Sequence, residues 1–247
     1  MLKIGIFQCD HVHETLVTIY GEYTDMIEKA FANYIESEQM QSLQFIRYAV
    51  IDNEFPDDDK ECDAYIITGS KHNVDDSLPW LDSLKQRLKN LYKKNIPVVG
   101  ICFGHQLIAS ALGGRVIQSD KGWGVGVYES LLQHKELWME GFKDRLKLIY
   151  SHQDQIVKPP AETKTLYSSE FCPYGMILVG NKFLGIQGHP EFQKPYSEGL
   201  MQHRKEKIPD DTRQKGLKSL SQNVDSKQVI NGIFKFIKQK AKNNNQN

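Results

Sequence analysis

Two kinds of segment alternate along this chain. Short, nearly continuous apolar runs bounded by polar or turn residues read as buried strands: Leu2 to Phe7, Leu43 to Ile51, Ala64 to Thr68, Ile96 to Ile101, Val116 to Ile117, Gly124 to Leu131 and Lys147 to Tyr150. Longer segments repeat apolar residues at helical spacing. Tyr20 to Glu38 carries Tyr23, Met26, Ile27, Ala30, Phe31 and Tyr34 on one face, and Trp80 to Lys93 follows Pro79 as an amphipathic helix. Phe103 to Leu112 forms a third helix, stopped by Gly113 and Gly114. Met176 to Val179 and Phe183 to Gln187 read as a hairpin with Gly180 and Asn181 at its turn. From Tyr196 onward the pattern is helical and polar. Val229 to Lys240 is expected as a closing helix with Ile230, Ile233, Phe234 and Ile237 on one face, and Asn243 to Asn247 as a frayed tail.

Strands alternating with helices predict an α/β fold with a mainly parallel central sheet and helices on both faces. No repeat, long linker or internal boundary interrupts the pattern. Residues 1–247 are therefore expected to form one domain, with a polar helical C-terminal section from about residue 196. In such sheets the functional site lies at the carboxyl ends of the strands, where Thr68-Gly69 and Ile101-Cys102 both fall.

Composition narrows the function classes. Lys+Arg and Asp+Glu are both 31, so a general affinity for nucleic acid or an anionic membrane is not expected. Met1 to Phe7 is too short for a secretory signal and no apolar run is long enough to span a bilayer. Cys9, Cys62, Cys102 and Cys172 form no CxxC pair, which favours reduced thiols and a cytoplasmic setting. Asp57, Asp58 and Asp59 read as a solvated loop, and no His or carboxylate spacing suggests a metal site.

The segment from Val98 to Gln106 carries the most chemistry. A buried strand runs into Cys102, a helix starts at once, and Gly100 and Gly104 flank the cysteine at i−2 and i+2. That is the spacing of a nucleophile elbow, with Cys in place of Ser, and the helix N-terminus favours the thiolate. A buried structural cysteine in a tight turn is the alternative, on which the elbow spacing would be wasted. A thiolate needs a base, and an acyl intermediate needs an oxyanion site. Gly188-His189-Pro190-Glu191 follows a hairpin strand and offers both: His189 as base and Glu191, two residues on, as the carboxylate that orients it. The backbone N–H of Phe103 is one expected oxyanion donor. The turn at Gly69-Ser70 is the candidate for the second, unless it is a plain turn.

Gly100-Ile101-Cys102-Phe103-Gly104-His105-Gln106 together with Gly188-His189-Pro190-Glu191 resembles the class I (triad-type) glutamine amidotransferases, whose pattern is G-x-C-x-G-x-Q followed by H-P-E. The resemblance spans nearly the whole chain and implies their flavodoxin-like sheet. It implies that Cys102 attacks the γ-carbonyl of glutamine to give a thioester, that His189 moves the proton, and that Glu191 orients His189. It also implies that Gln106 and the backbone of Ser151, His152 and Gln153 grip the amino-acid end of the substrate, with Asp154 supporting that loop or acting as an ordinary turn residue. Relatives often have Gly and Pro where this chain has Ser70 and Lys71. Gly122-Trp123-Gly124-Val125-Gly126 and the polar C-terminus resemble stand-alone GMP-synthase-like members, although the glycine segment is also what a bulged strand looks like.

No metal or organic cofactor is called for, and no phosphate loop follows an early strand. The expected partner is a small γ-glutamyl substrate, cleaved with release of ammonia or an amine. A glutaminase subunit feeding a separate synthase chain is the alternative, then an inactive scaffold on the same fold, then another type of cysteine hydrolase. The sequence does not speak to oligomeric state. A glutamine-like electrophile followed by peptide mapping is expected to label Cys102; label mainly at Cys9, Cys62 or Cys172 would overturn the nucleophile assignment.

Overall fold

The apolar runs pair as the alternation predicts. The computed structural model describes residues 1–244. In chain order the elements are β1 (Leu2–Phe7), α1 (Glu14–Tyr20), α2 (Tyr23–Tyr34), α3 (Ser37–Met40), β2 (Leu43–Tyr48), β3 (Ala64–Ile67), α4 (Pro79–Lys93), β4 (Val98–Ile101), α5 (Phe103–Ala111), β5 (Arg115–Gln118), β6 (Gly124–Leu132), β7 (Arg145–His152), β8 (Asp154–Lys158), β9 (Thr163–Ser168), β10 (Met176–Val179), β11 (Phe183–Ile186), α6 (Lys194–His203), α7 (Asp210–Ser219) and α8 (Ser226–Asn244). One sheet runs β2-β1-β3-β4-β11-β10-β9-β6-β7, and β5 and β8 form a separate antiparallel ribbon. The strands from β2 to β11 are parallel, so the carboxyl ends of β3, β4 and β11 lie side by side.

The period-2 alternation of the central strands separates two apolar faces. Ile4, Ile6, Ile66, Val99 and Ile101 pack with Ile27 and Phe31 of α2 and Ile233 and Ile237 of α8. Phe7, Tyr65, Ile67 and Val98 pack on the opposite face with Leu81, Leu84, Leu88 and Leu91 of α4 and Leu107 and Ile108 of α5. Each such fully buried side chain contributes roughly 2 kcal/mol of gross transfer free energy. A third cluster joins Leu16, Met26, Val125 and Ile149 to Tyr196, Leu200 and Met201 of α6, which brings the C-terminal section over the sheet end.

Several boundaries differ from the sequence reading. Helix α1 lies outside the expected elements, and the helix expected over Tyr20 to Glu38 begins only at Tyr23, after Gly21 with φ 78° closes α1, and ends at Tyr34, with α3 a separate short helix. Glu22 and Asp25 then form a reciprocal cap that starts α2. The expected second strand stops at Tyr48, and Val50–Asp52 is a 3-10 turn. Strands β8 and β9 were not predicted; their runs, Asp154–Lys158 and Thr163–Ser168, are largely polar. The closing helix reaches Asn244, so the expected tail is partly helical, and its remainder lies outside the described residues. Asp57 and Asp58 are exposed as expected, but Asp59 is buried and ion-paired with Arg87 at 2.5 Å and Lys94 at 2.7 Å. The hairpin turn is as read, with positive φ at Gly180 (52°) and Asn181 (62°). Among the described residues no helix is long and apolar enough to cross a membrane.

The first turn of α5 lies hard against the sheet. A Cβ at position 100 would sit 2.3 Å from the Gly104 carbonyl oxygen, and one at 104 would sit 2.6 Å from the Ile67 carbonyl oxygen. Gly100→Ala must therefore push strand and helix apart, and urea denaturation is expected to show a loss of about 3 kcal/mol. An unchanged midpoint would show that the close approach is not required.

Candidate active site

The chain turns sharply at the end of β4. Cys102 has φ 52° and ψ −99°, a conformation that costs a non-glycine residue about 1–3 kcal/mol. Its own backbone is fastened on both sides: its N–H donates to the Ile186 carbonyl at 2.8 Å, and its carbonyl accepts from the Gln106 N–H at 3.1 Å. The side chain is 5% exposed and lines a cleft of about 460 Å³. Phe103 is the first residue of α5, so its N–H has no partner within the helix.

The neighbouring strand end supplies the imidazole. After β11 the chain pairs briefly with β7, where the His189 N–H donates to the Ile149 carbonyl at 2.8 Å. His189 Nδ1 and Glu191 Oε1 lie 2.7 Å apart, with side chains only 3% and 2% exposed. The imidazole stacks on Phe192 with ring centroids 3.8 Å apart. Burial by itself disfavours the imidazolium, but the Glu191 carboxylate and then Cys102 outweigh it and push His189 up to about 10.

Gly69, at the end of β3, closes the third side. A Cβ there would lie 3.1 Å from His189 Cε1 and 3.9 Å from Cys102 Cβ, so its bare backbone sits beside both groups. The Thr68 hydroxyl donates to the Gly69 carbonyl at 3.0 Å while accepting from the Cys9 N–H at 2.9 Å. This fixes the Gly69–Ser70 peptide plane and hence the direction of the Ser70 N–H. Buried Asp10 anchors the same turn, accepting from the Lys71 N–H at 2.9 Å and from Lys71 Nζ at 2.7 Å.

The remaining sequence candidates also meet here, with some reassignment of what they touch. Gln106 lines the cleft, but its amide donates to the Asp154 carbonyl at 2.7 Å and to Gln187 at 3.2 Å, so it braces the 151–154 segment. Ser151, His152 and Gln153 form the cleft wall. The Gln153 carbonyl accepts from the Ser119 N–H at 3.1 Å. Burial, then His189 and His105, pushes His152 down to about 3, so its ring is neutral. Burial, then the nearby Asp75 and Asp76, raises the Asp154 carboxyl. His105 is fully buried under the elbow and pushed down to about 3, against the pull of the Gly185 and Tyr174 carbonyls. Burial raises the thiols of Cys9, Cys62 and Cys172, the last to about 12, which leaves them poor nucleophiles.

Sequence reasoning did not find Asp10, Arg204 or Lys207. Arg204 follows α6, its Nη1 donates to Ser151 Oγ at 3.1 Å, and its guanidinium lies over the Trp123 ring at 6.0 Å. No motif surrounds these residues; only the packing of Tyr196, Leu200 and Met201 carries Arg204 and Lys207 to the cleft. The glycines around Trp123 have a structural duty. A Cβ at Gly126 would lie 2.3 Å from Ser219 Oγ of α7, whose hydroxyl accepts from the Val127 N–H at 2.8 Å. Among the described residues no cluster of three or more His, Cys, Asp or Glu could hold a metal ion.

Comparison with known proteins gives a consistent result. The family described as glutamine amidotransferase class-I matches residues 20–230. Gamma-glutamyl peptidase 4 of Arabidopsis thaliana is 32% identical over 182 residues, covering 71% of this chain and 70% of that one. A glutamine-hydrolyzing GMP synthase subunit of Sulfolobus acidocaldarius is 30% identical over 160 residues, covering 64% of this chain and 83% of that one. A glutamine amidotransferase from Thermotoga maritima superposes with a TM-score of 0.74 at 19% identity, covering 97% of both chains, a likeness of fold.

The three buried histidines set the pH dependence of stability. His105 and His152 titrate near 3 when folded and near 6.5 when unfolded, so protons favour the unfolded chain between those values. Their stabilisation is complete above about 6.5 and is lost as pH falls toward 3. His189 acts oppositely: its share is complete below about 6.5 and is lost as pH rises through about 10. Between pH 6 and 5, urea denaturation is expected to show these two histidines, His105 and His152, costing about 2 kcal/mol per pH unit together. His105→Gln is expected to halve that slope, and an unaltered slope would refute the assignment.

Proposed function

The chain belongs to the glutamine amidotransferase class-I family, and from that membership we propose that it hydrolyses the γ-glutamyl amide bond of glutamine or of a γ-glutamyl compound through a thioester on Cys102. One observation carries this reading: a strained Cys102 at a helix N-terminus lies beside the buried His189 of a His189–Glu191 pair at 2.7 Å. The raised His189 suits a thiolate–imidazolium resting state.

The steps follow from those positions. Cys102 Sγ attacks the γ-carbonyl carbon, and the carbonyl electrons move onto oxygen. The Phe103 N–H and an N–H of the Gly69-Ser70 turn receive that oxyanion. The imidazolium of His189 gives its proton to the leaving nitrogen as the C–N bond breaks, releasing ammonia or an amine and leaving the thioester. Neutral His189 then takes a proton from water, whose oxygen attacks the thioester carbon. Glutamate leaves, and the thiolate–imidazolium pair is restored. Glu191 holds the ring orientation throughout. Ser151, His152 and Gln153 hold the glutamyl head, with Gln106 and Asp154 bracing that wall. All residues used lie in one catalytic unit, and buried thiols suit a reducing, cytoplasmic compartment.

A second reading is a glutaminase that passes ammonia to a separate synthase chain, favoured by the likeness to the GMP synthase of Sulfolobus acidocaldarius. Turnover of the purified chain on L-glutamine and on γ-glutamyl peptides tests both. Hydrolysis that disappears in Cys102→Ala is expected. His189→Ala should lower kcat/KM about 10³-fold. Glu191→Gln should cost less, since Glu191 only orients. No hydrolysis by the chain alone, with Cys102 still labelled by a glutamine analogue, would favour the partner-dependent reading. Turnover retained in Cys102→Ala would refute the thioester.

A further inference from the structure

His189 is held by more than its hydrogen bond. Glu191 pins Nδ1 at 2.7 Å, but one bond at one corner leaves the plane of the ring free to tilt. Phe192, the next residue, lies flat on a face of that ring, with centroids 3.8 Å apart and planes within 7° of each other. Both side chains are buried. Phe192 is in turn fixed from two other elements. Tyr196 of α6 meets it edge-on at 4.6 Å, and Tyr23 of α2 stacks at 6.4 Å. The Tyr196 hydroxyl donates to the Tyr23 hydroxyl at 3.3 Å and ties those two rings together.

The site contains its own comparison. His152 also lies among aromatic rings, Tyr150 at 5.0 Å and Phe171 at 5.9 Å, but they are tilted from it by 54° and 59° and neither lies flat on it. That imidazole is neutral. The charged ring is the one that rests on an aromatic face. Such a face carries negative charge density, and a cation set on it away from water is stabilised more than one in water. The titratable groups acting on His189 are Glu191 from its own loop, Cys102 from the end of β4 and His152 from β7. Glu191 and Cys102 favour the imidazolium, and the neutral His152 adds no charge. Phe192 is the uncharged group in contact with the ring face, and packing alone would be met there by any apolar side chain of similar size.

Resting on the hydrolase reading above, we propose that Phe192 is a positioning residue for the reaction: its ring face carries the His189 imidazolium and fixes the tilt of that ring, so that Nε2, the nitrogen left free by Glu191, keeps its direction and holds its proton for the leaving nitrogen. No bond forms or breaks at Phe192.

The test follows His189 by NMR titration of its ring in the unaltered chain and in Phe192→Leu, Phe192→Met and Phe192→Tyr. Leu and Met keep an apolar side chain but remove the face, whereas Tyr keeps the face. In Phe192→Leu and Phe192→Met, His189 is expected to lose its proton about one pH unit below the value of about 10 in the unaltered chain. Phe192→Tyr is expected to titrate with the unaltered chain. The alkaline limb of kcat/KM should move down with the titration, because the imidazolium is the acid that protonates the leaving nitrogen. The acid limb should stay in place: when the Cys102 thiolate takes a proton, His189 is charged before and after. The pH dependence of Cys102 alkylation reads that limb. Equal titration in all four proteins would overturn the proposal. So would an equal shift in all three variants, since packing and not the ring face would then be the cause. The NMR titration needs no turnover, which separates the two readings. If nothing is cleaved yet His189 shifts with Leu and Met and not with Tyr, hydrolysis fails and the stack stands; if substrate is hydrolysed and the four titrations coincide, the stack alone fails.

Discussion

Everything at this site depends on how closely one helix approaches the sheet. The first turn of α5 can lie on β3 and β4 only because positions 100 and 104 have no side chain: added carbons would come within 2.3 Å and 2.6 Å of backbone oxygens. That contact forces the chain through a reversal within a single residue, and Cys102 absorbs it at φ 52°. The strain is held in place by the parallel pairing of β4 with β11 and by the fully buried apolar faces on either side of the sheet. A thiol at the tip of such a turn reaches the cleft while its backbone stays anchored.

The same burial acts on three imidazoles and gives two outcomes. His105 and His152 have no carboxylate partner and are held neutral, whereas His189 is held charged by Glu191 and Cys102. A difference of one neighbouring carboxylate, 2.7 Å away, reverses the sign of the shift. The parallel strands matter because they place Gly69, Cys102 and His189 at three adjacent strand ends, with no side chain at position 69 to hold the groups apart.

Much of this was legible in the sequence because the relevant signals are local. The elbow spacing around Cys102, the His189-Pro190-Glu191 run, the Gly180-Asn181 turn and the alternation of strand and helix each depend on a few adjacent residues. Strands β8 and β9 escaped notice because their sequences are largely polar, and β8 pairs with β5, which lies far back in the chain. Helix α1 went unread because Glu14–Tyr20 is too short a run to show a helical period, and only Leu16 of it is buried. Asp59 was misread because its partners Arg87 and Lys94 lie on another element. Arg204 was invisible for the same reason: its position depends on α6 docking onto β6 and β7, which no local pattern announces.

The place of β11 in the sheet has a consequence for how the protein is made. The strand that flanks Cys102 on one side, β3, precedes it in the chain, but the strand on the other side arrives only at Phe183–Ile186. A chain emerging from the ribosome therefore cannot close its central sheet at the cysteine until most of its length has been synthesised. His189 comes three residues after that strand. Cys102 and His189 thus meet only when the sheet is complete, so the unfinished chain presents the cysteine without its imidazole neighbour, and the site takes shape with the last central strand.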